Sequence, residues 1–475
     1  PSIGGKDSMS GTFEHISVPP TLIAFGVTTV DAGRVISPEL KWEGNKLYLI
    51  KHTPLANRMP DVDQLKANWD YVHAEIAAGH IVSAWALGFG GVAEGLAKMA
   101  FGNLFGVDVK LSERELFDLG YGSILVESET PLDFPQAILL GEVTDGEDGL
   151  LKIDGERISI DRLVEANAGK YAKVYPAKVE ASHKKMLSGI KPEGKYEAPR
   201  WKGAPVEKPL VYIPVFPGTN CDYDTAKAFR KAGADVQFGV FRNLTGEDVL
   251  RSIDEMGAAI DGCQILMLSG GFSAGDEPDG SGKFIANVLN NARVAQAIEG
   301  LLERGGLILG ICNGFQALVK SGLLPYGHLG MVTTESPTLF RNDINRHISQ
   351  MATTRVATTR SPWLAGMNVG DLHTIAVSHG EGRFVVSEAL AKELFAKGQV
   401  AFQYVDPFSE EVTMEAPYNP NGSNYAIEGI ISPTGQILGK MGHTERWEPN
   451  LFKNIEEELY QPLFDNAVSY FKKNR

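Results

Sequence analysis

The segment Gly306-Leu-Ile-Leu-Gly-Ile-Cys-Asn-Gly-Phe-Gln-Ala-Leu318 decides the fold of the second half of the chain. It is an apolar strand that runs into Gly310-Ile-Cys312-Asn-Gly314, followed by a helical pattern. This is the pattern of a nucleophile elbow with cysteine in place of serine. Because the turn is sharp, the residues two positions from the nucleophile must be small. The turn would place Cys312 above a sheet at the N-terminus of the next helix, which favours the thiolate.

Cys312 has a second interpretation, since a lone cysteine in an apolar run is commonly a buried structural residue. Cys263, which precedes the strand Gln264–Leu268, fits that description. The two flanking glycines and the strand–helix context favour a nucleophile at Cys312 instead.

The rest of the second half alternates strands with helices. We predict strands at Leu210–Phe216, Asp235–Phe241, Gln264–Leu268 and Leu307–Ile311. Such alternation builds a doubly wound parallel sheet, an α/β fold, whose ligands gather at the carboxyl ends of the strands. The glycine-containing turns that follow Phe216, Leu268 and Ile311 all lie at that edge, so we expect them to form one site.

A nucleophile in acyl transfer needs donors for the oxyanion. The glycine-rich loop Ser269–Asp276 lies at the same predicted edge. We expect the backbone N–H of Gly271 or Phe272, together with that of Asn313, to face the tetrahedral oxygen.

Two His-x-Glu triplets compete for the general base, His379-Gly-Glu381 and His443-Thr-Glu445. In such a triad the imidazole takes the thiol proton and the carboxylate fixes its tautomer. His443 follows a predicted strand, where a base would meet an elbow, whereas His379 lies between glycines and is typical of a substrate contact. The pattern favours His443 and leaves His379 as the alternative.

The composition excludes several classes of protein. The net charge of −14 over 475 residues argues against a nucleic-acid or anionic-membrane binder. No apolar run approaches the ~20 residues of a membrane helix. Three widely spaced cysteines make a disulfide framework improbable and favour a cytoplasmic protein.

The domain organisation is predicted from a shift in composition. Residues 189–208 are rich in Pro, Gly and Lys, which is typical of an exposed linker. We expect an α+β region before it, with residues 1–50 ending one sheet subdomain and residues 51–188 forming another. Residues 209–475 form the catalytic domain. The sequence begins at Pro1, within a segment whose pattern is typical of folded structure, so we expect the chain to be a fragment of a longer protein.

Five motifs in this order give a specific resemblance. The second half resembles the glutaminase domain of the large, single-chain phosphoribosylformylglycinamidine synthases of purine biosynthesis. The motifs are Phe216-Pro-Gly-Thr-Asn-Cys-Asp222, Ser269-Gly-Gly-Phe-Ser273, Gly310-Ile-Cys-Asn-Gly-Phe-Gln316, Ser378-His-Gly-Glu-Gly382 and Met441-Gly-His-Thr-Glu-Arg446.

The resemblance implies a triad of Cys312, His443 and Glu445, with Gln316 helping to hold the substrate glutamine. The family commonly has His-Pro-Glu at the base, and here Thr444 replaces the proline. It further implies a ligase that uses glutamine, ATP and Mg²⁺ to turn an amide oxygen into an amidine, with the missing N-terminal half of the synthetase as partner.

The first half is similar to part of the synthetase core of the same enzymes. Gly4-Gly-Lys-Asp-Ser-Met-Ser10 resembles a nucleotide-handling loop of the family. Lys6 and Ser8 suit phosphate and Asp7 suits Mg²⁺. Phe89 stands where the family commonly has aspartate, which argues against a metal site at that turn.

Two rival functions remain open at this point. One is a different cysteine hydrolase on the same elbow, such as a peptidase. The other is a non-catalytic regulatory fragment that binds nucleotide. Release of glutamate from glutamine, and selective reactivity of Cys312 over Cys221 and Cys263, would distinguish them.

Overall fold

The computed structural model describes residues 2–7, 11–13, 16–18, 22–146, 149–170, 172, 186–187, 190–272, 282–452, 455 and 458–472. Before Ala24 it describes the backbone alone, except at Ser17. The chain forms two compact units, Pro1–Val174 and Tyr175–Arg475. Within the described residues, no helix combines the length and apolar character needed to span a membrane.

The first unit is a mixed α+β structure. Its strands are β1 Ser2–Asp7, β2 Gly11–Phe13, β3 Ile16–Val18, β4 Leu22–Gly26, β5 Lys46–Ile50, β6 Ile81–Ala86, β7 Gly106–Val109, β8 Ile124–Ser128, β9 Ala137–Thr144, β10 Leu150–Ile153 and β11 Glu156–Ser159. Its helices are α1 Val62–Ala77, α2 Gly91–Asn103, α3 Glu113–Phe117 and α4 Ile160–Gly169. Seven strands form one sheet in the order β11-β10-β7-β9-β5-β8-β6.

Both faces of this sheet are covered, because successive residues of a strand point to opposite faces. On β5, Leu47 belongs to one buried cluster with Leu96 of α2, whereas Tyr48 and Ile50 belong to a second cluster with Val72 of α1. The expected boundary after residue 50 is therefore wrong. Strand β5 is hydrogen-bonded between β8 and β9, inside the sheet of the following segment.

The predicted nucleotide loop Gly4–Ser10 lies only in part within the described residues. Lys6 and Asp7 lie in strand β1, which pairs antiparallel with β4. An extended strand does not present successive backbone N–H groups to one phosphate as a loop does. The side chains of Lys6 and Asp7, and all of Ser8, lie outside the described residues.

The second unit is built on a nine-stranded sheet. The strands of the unit are β12 Leu210–Val215, β13 Asp235–Val240, β14 Ile265–Leu268, β15 Leu307–Ile311, β16 Thr338–Phe340, β17 Ile348–Val356, β18 Leu372–His379, β19 Arg383–Val385, β20 Val400–Tyr404, β21 Ile427–Ile431 and β22 Ile437–Lys440. The helices are α5 Asp222–Ala232, α6 Gly246–Gly262, α7 Lys283–Leu289, α8 Ala292–Glu303, α9 Asn313–Ser321, α10 Leu323–Tyr326, α11 Glu388–Lys397 and α12 Leu463–Lys472.

The order of the large sheet is β13-β12-β14-β15-β22-β21-β20-β17-β18. From β13 to β22 the neighbours are parallel, and from β22 to β18 they are antiparallel. The predicted parallel α/β arrangement therefore describes about half of this nine-stranded sheet. Parallel pairing of β22 with β15 brings the segment after β22 to the edge where β15 ends, and the antiparallel extension brings the end of β18 to the same edge.

The described part of the predicted linker, residues 190–208, is mostly exposed, and it is hydrogen-bonded to the second unit. The Glu193 N–H donates to the Ala396 carbonyl at 2.7 Å, and the Val206 N–H donates to the Phe471 carbonyl at 3.0 Å. Trp201 packs against the large core. Residues 190–208 contain no strand or helix, so such contacts with the rest of the unit hold the segment in place.

The elbow glycines are required by close packing. A Cβ on Gly314 would lie 1.9 Å from the carbonyl oxygen of Leu268, and one on Gly310 would lie 2.7 Å from the carbonyl oxygen of Gly314. Both obstacles are backbone atoms, which cannot rotate away. The start of α9 therefore rests directly on the ends of β14 and β15.

We predict that Gly314→Ala destabilises the protein by at least about 2 kcal/mol, because the added methyl group overpacks a rigid site. Gly246→Ala is the matched control. Gly246 has open space around its Cβ position, so its replacement should leave stability unchanged or slightly raised. Urea unfolding of both variants measures the difference. Equal midpoints for the two variants would contradict the packing argument.

Candidate active site

Cys312 occupies the turn between β15 and α9. Its φ of 52° and ψ of −107° are rare for a residue with a side chain, and such a backbone is held only where its surroundings determine it. The Cys312 N–H donates to the Lys440 carbonyl at 2.9 Å. Cys312 as a residue is 7% exposed, and its sulfur lies 4.0 Å from the Ser378 carbonyl oxygen. The turn thus fixes a buried sulfur at the sheet edge.

His443 lies three residues beyond the end of β22 and precedes a short 3-10 helix, Thr444–Arg446. Its Nδ1 lies 2.6 Å from Oε1 of Glu445. A carboxylate only accepts, so Nδ1 carries the proton and the tautomer is set. The other ring nitrogen, Nε2, is buried without a close hydrogen bond to a described residue. The sulfurs of Cys221 and Cys312 approach the ring.

The His443–Glu445 pair is charged. Burial lowers the pKa of His443, but the Glu445 carboxylate and then the two cysteine sulfurs outweigh burial and raise that pKa well above its ordinary value. Burial raises the pKa of Glu445, and the adjacent His443 outweighs this and lowers it. The free site therefore holds an imidazolium next to a carboxylate.

His379, at the end of β18, is in a different electrostatic state. Burial, followed by the nearby His443 and His347, lowers the pKa of His379 to about 3. Its ring is neutral, and neither ring nitrogen has a hydrogen-bond partner among the described residues. Of the two His-x-Glu triplets, only His443-Thr-Glu445 contains a described histidine–carboxylate hydrogen bond.

Five segments at strand ends line one cavity of about 130 Å³. Its walls are Asn220, Cys221, Gly271, Phe272, Cys312, Gln316, Ser378, His379, Gly380, Glu381, His443 and Arg446. The cavity brings together the three glycine-containing turns that the sequence placed at one edge. It also brings both candidate histidines to the nucleophile.

Phe272 is excluded as an oxyanion donor, which corrects one expectation. Its backbone N–H donates to the Gly218 carbonyl at 2.8 Å. Gly271 and Thr219 face each other in an isolated bridge, and the Gly271 N–H makes no hydrogen bond to a described residue. Asn313 is the first residue of α9, where backbone N–H groups point out of the helix. Gly271 and Asn313 remain the predicted donors.

Gln316 is held by the protein itself. Its Nε2 donates to the Glu381 carbonyl at 2.5 Å, and its Oε1 accepts from Asn313 Nδ2 at 2.9 Å. Gln316 therefore ties α9 to the loop after β18. That it also contacts substrate stays a prediction.

Cys221 and Arg446 are site residues that the sequence reasoning did not single out. Arg446 Nη2 donates to the Cys221 sulfur at 3.3 Å. Both residues lie inside quoted motifs, which was the available signal. Atoms of Cys221, His443 and Glu445 lie within 4.8 Å of one another and could hold a metal ion. The positive charge of Arg446 beside Cys221, and the hydrogen bond that Glu445 already makes with His443, argue against a metal ion at this position.

A family model for CobB/CobQ-like glutamine amidotransferase domains matches residues 208–471, more than half of the chain. A relative from Gloeobacter violaceus is 33% identical over 256 residues, which cover 54% of this chain and 97% of the relative. A relative from Methanococcus maripaludis is 34% identical over 285 residues, covering 56% and 99%. Both are named phosphoribosylformylglycinamidine synthase subunit PurQ.

A solved structure described as PurLQS from Thermotoga maritima contains a chain that is 26% identical to this one. The match covers 56% of this chain and 100% of that chain, with a TM-score of 0.41. The elbow and the buried histidine–carboxylate pair agree with the family model that matches residues 208–471. The chain belongs to the CobB/CobQ-like glutamine amidotransferase family.

Proposed function

We propose that the second unit hydrolyses glutamine through a thioester on Cys312 and supplies ammonia for phosphoribosylformylglycinamidine synthase in purine biosynthesis. The observation that carries the proposal is the buried constellation at one sheet edge. It consists of a cysteine on a strained elbow beside a histidine whose Nδ1 lies 2.6 Å from a carboxylate oxygen. The family match and the named relatives support the same reaction.

The first half of the reaction forms the thioester. The Cys312 thiolate attacks the side-chain amide carbon of glutamine, and the carbonyl electrons move onto oxygen. The N–H groups of Gly271 and Asn313 would stabilise that oxyanion. When the carbon–nitrogen bond breaks, the His443 imidazolium gives its proton to the departing nitrogen, which leaves as ammonia.

The second half regenerates the enzyme. Neutral His443 takes a proton from water as the water oxygen attacks the thioester carbon. The carbon–sulfur bond breaks, glutamate leaves, and the thiolate and the imidazolium are restored. The raised pKa of His443 suits this cycle, since it keeps the ring protonated before each turnover. Glu445 holds the ring so that Nε2 serves both steps.

The role of the first unit is a further part of the proposal. The matched relatives are named as separate subunits and align with about half of this chain. The large, single-chain arrangement therefore rests on the sequence resemblance of the first half. In that arrangement the first unit belongs to an ATP- and Mg²⁺-dependent synthetase of the cytoplasm, with Lys6, Asp7 and Ser8 near the nucleotide. Those side chains are not described, so no step is derived through them.

Cys312→Ala should abolish glutamine hydrolysis and leave the fold intact, because the covalent path is lost. A chloroketone analogue of glutamine should label Cys312 alone in the wild-type protein. Cys263 is the internal control, since burial raises the pKa of its thiol to about 12. Peptide mass spectrometry locates the label. A label on Cys221, or full activity in Cys312→Ala, would show that the nucleophile is assigned wrongly.

His443→Ala should lower kcat by about four to six orders of magnitude, which is the range for losing a triad member. His379→Ala should act mainly on KM for glutamine, because the neutral His379 lines the cavity and no described carboxylate is hydrogen-bonded to its ring. Steady-state assays of glutamate release compare the two. The roles of the histidines are reversed if His379→Ala is the variant that loses kcat.

A further inference from the structure

Lys440, the last residue of β22, is completely buried. Its Nζ donates to the Thr444 hydroxyl at 2.7 Å, the Gln461 side-chain oxygen at 2.9 Å and the Gly442 carbonyl at 3.2 Å. An ammonium group has three donors, so each donor has an acceptor. Burial lowers the pKa of Lys440, and the Glu428 and Glu445 carboxylates counteract it. A buried cation needs such partners, since removing it from water costs several kcal/mol.

Glu428, on β21, is the buried partner of this lysine. Its Oε1 accepts the Gly442 N–H at 2.6 Å and lies 3.8 Å from Lys440 Nζ. The two charged side chains therefore hold opposite ends of Gly442, one through its N–H and the other through its carbonyl. A Cβ at Gly442 would lie 2.0 Å from Ile375 Cδ1, so the turn is also tightly packed.

The residue that follows His443 is held by the same lysine. The Thr444 hydroxyl accepts from Lys440 Nζ and donates to the Gln461 oxygen at 2.6 Å. The His443 N–H itself donates to the Ala376 carbonyl at 2.8 Å. Both neighbours of His443 and its own backbone are therefore fixed.

Lys440 also contacts the nucleophile through its backbone. Its carbonyl accepts the Cys312 N–H at 2.9 Å. One residue thus fixes the backbone of the nucleophile with its carbonyl and the turn carrying the base with its ammonium. A catalytic histidine must sit within hydrogen-bond reach of its target, and a displacement of 1 Å is enough to slow the reaction about a hundredfold.

We propose that Lys440 and Glu428 are positioning residues that set the distance between His443 and Cys312. The inference rests on the proposed glutaminase function. Neither residue lines the cavity, so neither touches the substrate. They act through the Gly442 and Thr444 contacts that hold the base.

Two variants test the role of the ammonium group. Lys440→Met alone leaves Glu428 buried and unpaired, which threatens folding, so the first is Lys440→Met/Glu428→Gln. The glutamine keeps an acceptor for the Gly442 N–H. The second is Thr444→Val, which removes the hydroxyl. We expect kcat for glutamine hydrolysis to fall at least tenfold in the first variant and severalfold in the second, with KM changed less than twofold.

Gln399→Met is the matched control. Gln399 is equally buried in the same unit and donates to the Pro325 and Ile431 carbonyls, none of which lines the cavity. It should lower the melting temperature to a similar degree and keep kcat within twofold. Combining Thr444→Val with the double variant should add no further loss, since the same link is already broken.

A second measurement is independent of turnover. The proton between His443 Nδ1 and Glu445 should give a strongly downfield NMR resonance in the wild-type and Gln399→Met proteins, and it should broaden or shift in Lys440→Met/Glu428→Gln. Wild-type kcat together with an unchanged resonance in a folded double variant would overturn the positioning role. If the wild-type protein releases no glutamate, the proposed function is wrong. The NMR comparison between the wild-type protein and the double variant still tests whether Lys440 and Glu428 position His443.

Discussion

The structure of the second unit depends on the direct contact between the first turn of α9 and the ends of two strands. Gly314 lies against the Leu268 carbonyl and Gly310 against the Gly314 carbonyl, so the backbone at the start of α9 contacts the strand ends directly. That contact forces the backbone of Cys312 into its strained turn. This turn places the sulfur at the sheet edge. The segments that follow β12, β14, β18 and β22 lie at the same edge. The site exists because the helix approaches this closely.

Burial then separates the roles of the two histidines. Both rings are buried and line the same cavity, where an isolated charge is unfavourable. His443 has Glu445 beside it and remains charged, whereas His379 has no carboxylate hydrogen-bonded to its ring in the described part of the chain, and its pKa falls to about 3. The same physical principle explains the buried Lys440, whose ammonium is tolerated because three oxygens and Glu428 surround it. The His443–Glu445 pair therefore determines which histidine is charged, and the Lys440–Glu428 pair holds the turn that carries it.

Local patterns predicted the local structure well. The strand Leu307–Ile311 has the predicted bounds, and the helical pattern predicted after the elbow is the helix Asn313–Ser321. Long-range pairing was not predictable in this way. The antiparallel half of the sheet, the bond from the Phe272 N–H to Gly218 and the place of β5 inside its sheet all depend on partners distant in sequence. Lys440 was missed because a charged residue at a strand end is usually exposed.

The central claim is that Cys312 carries a γ-glutamyl thioester during glutamine hydrolysis. Rapid mixing with glutamine, acid quenching and intact-mass analysis test it most directly. The account predicts that a fraction of the protein gains the mass of glutamine minus ammonia. The adduct should map to Cys312 and be absent when glutamate replaces glutamine. Glutamate release by the wild-type protein with no adduct at any quench time, including times shorter than one turnover, would contradict it.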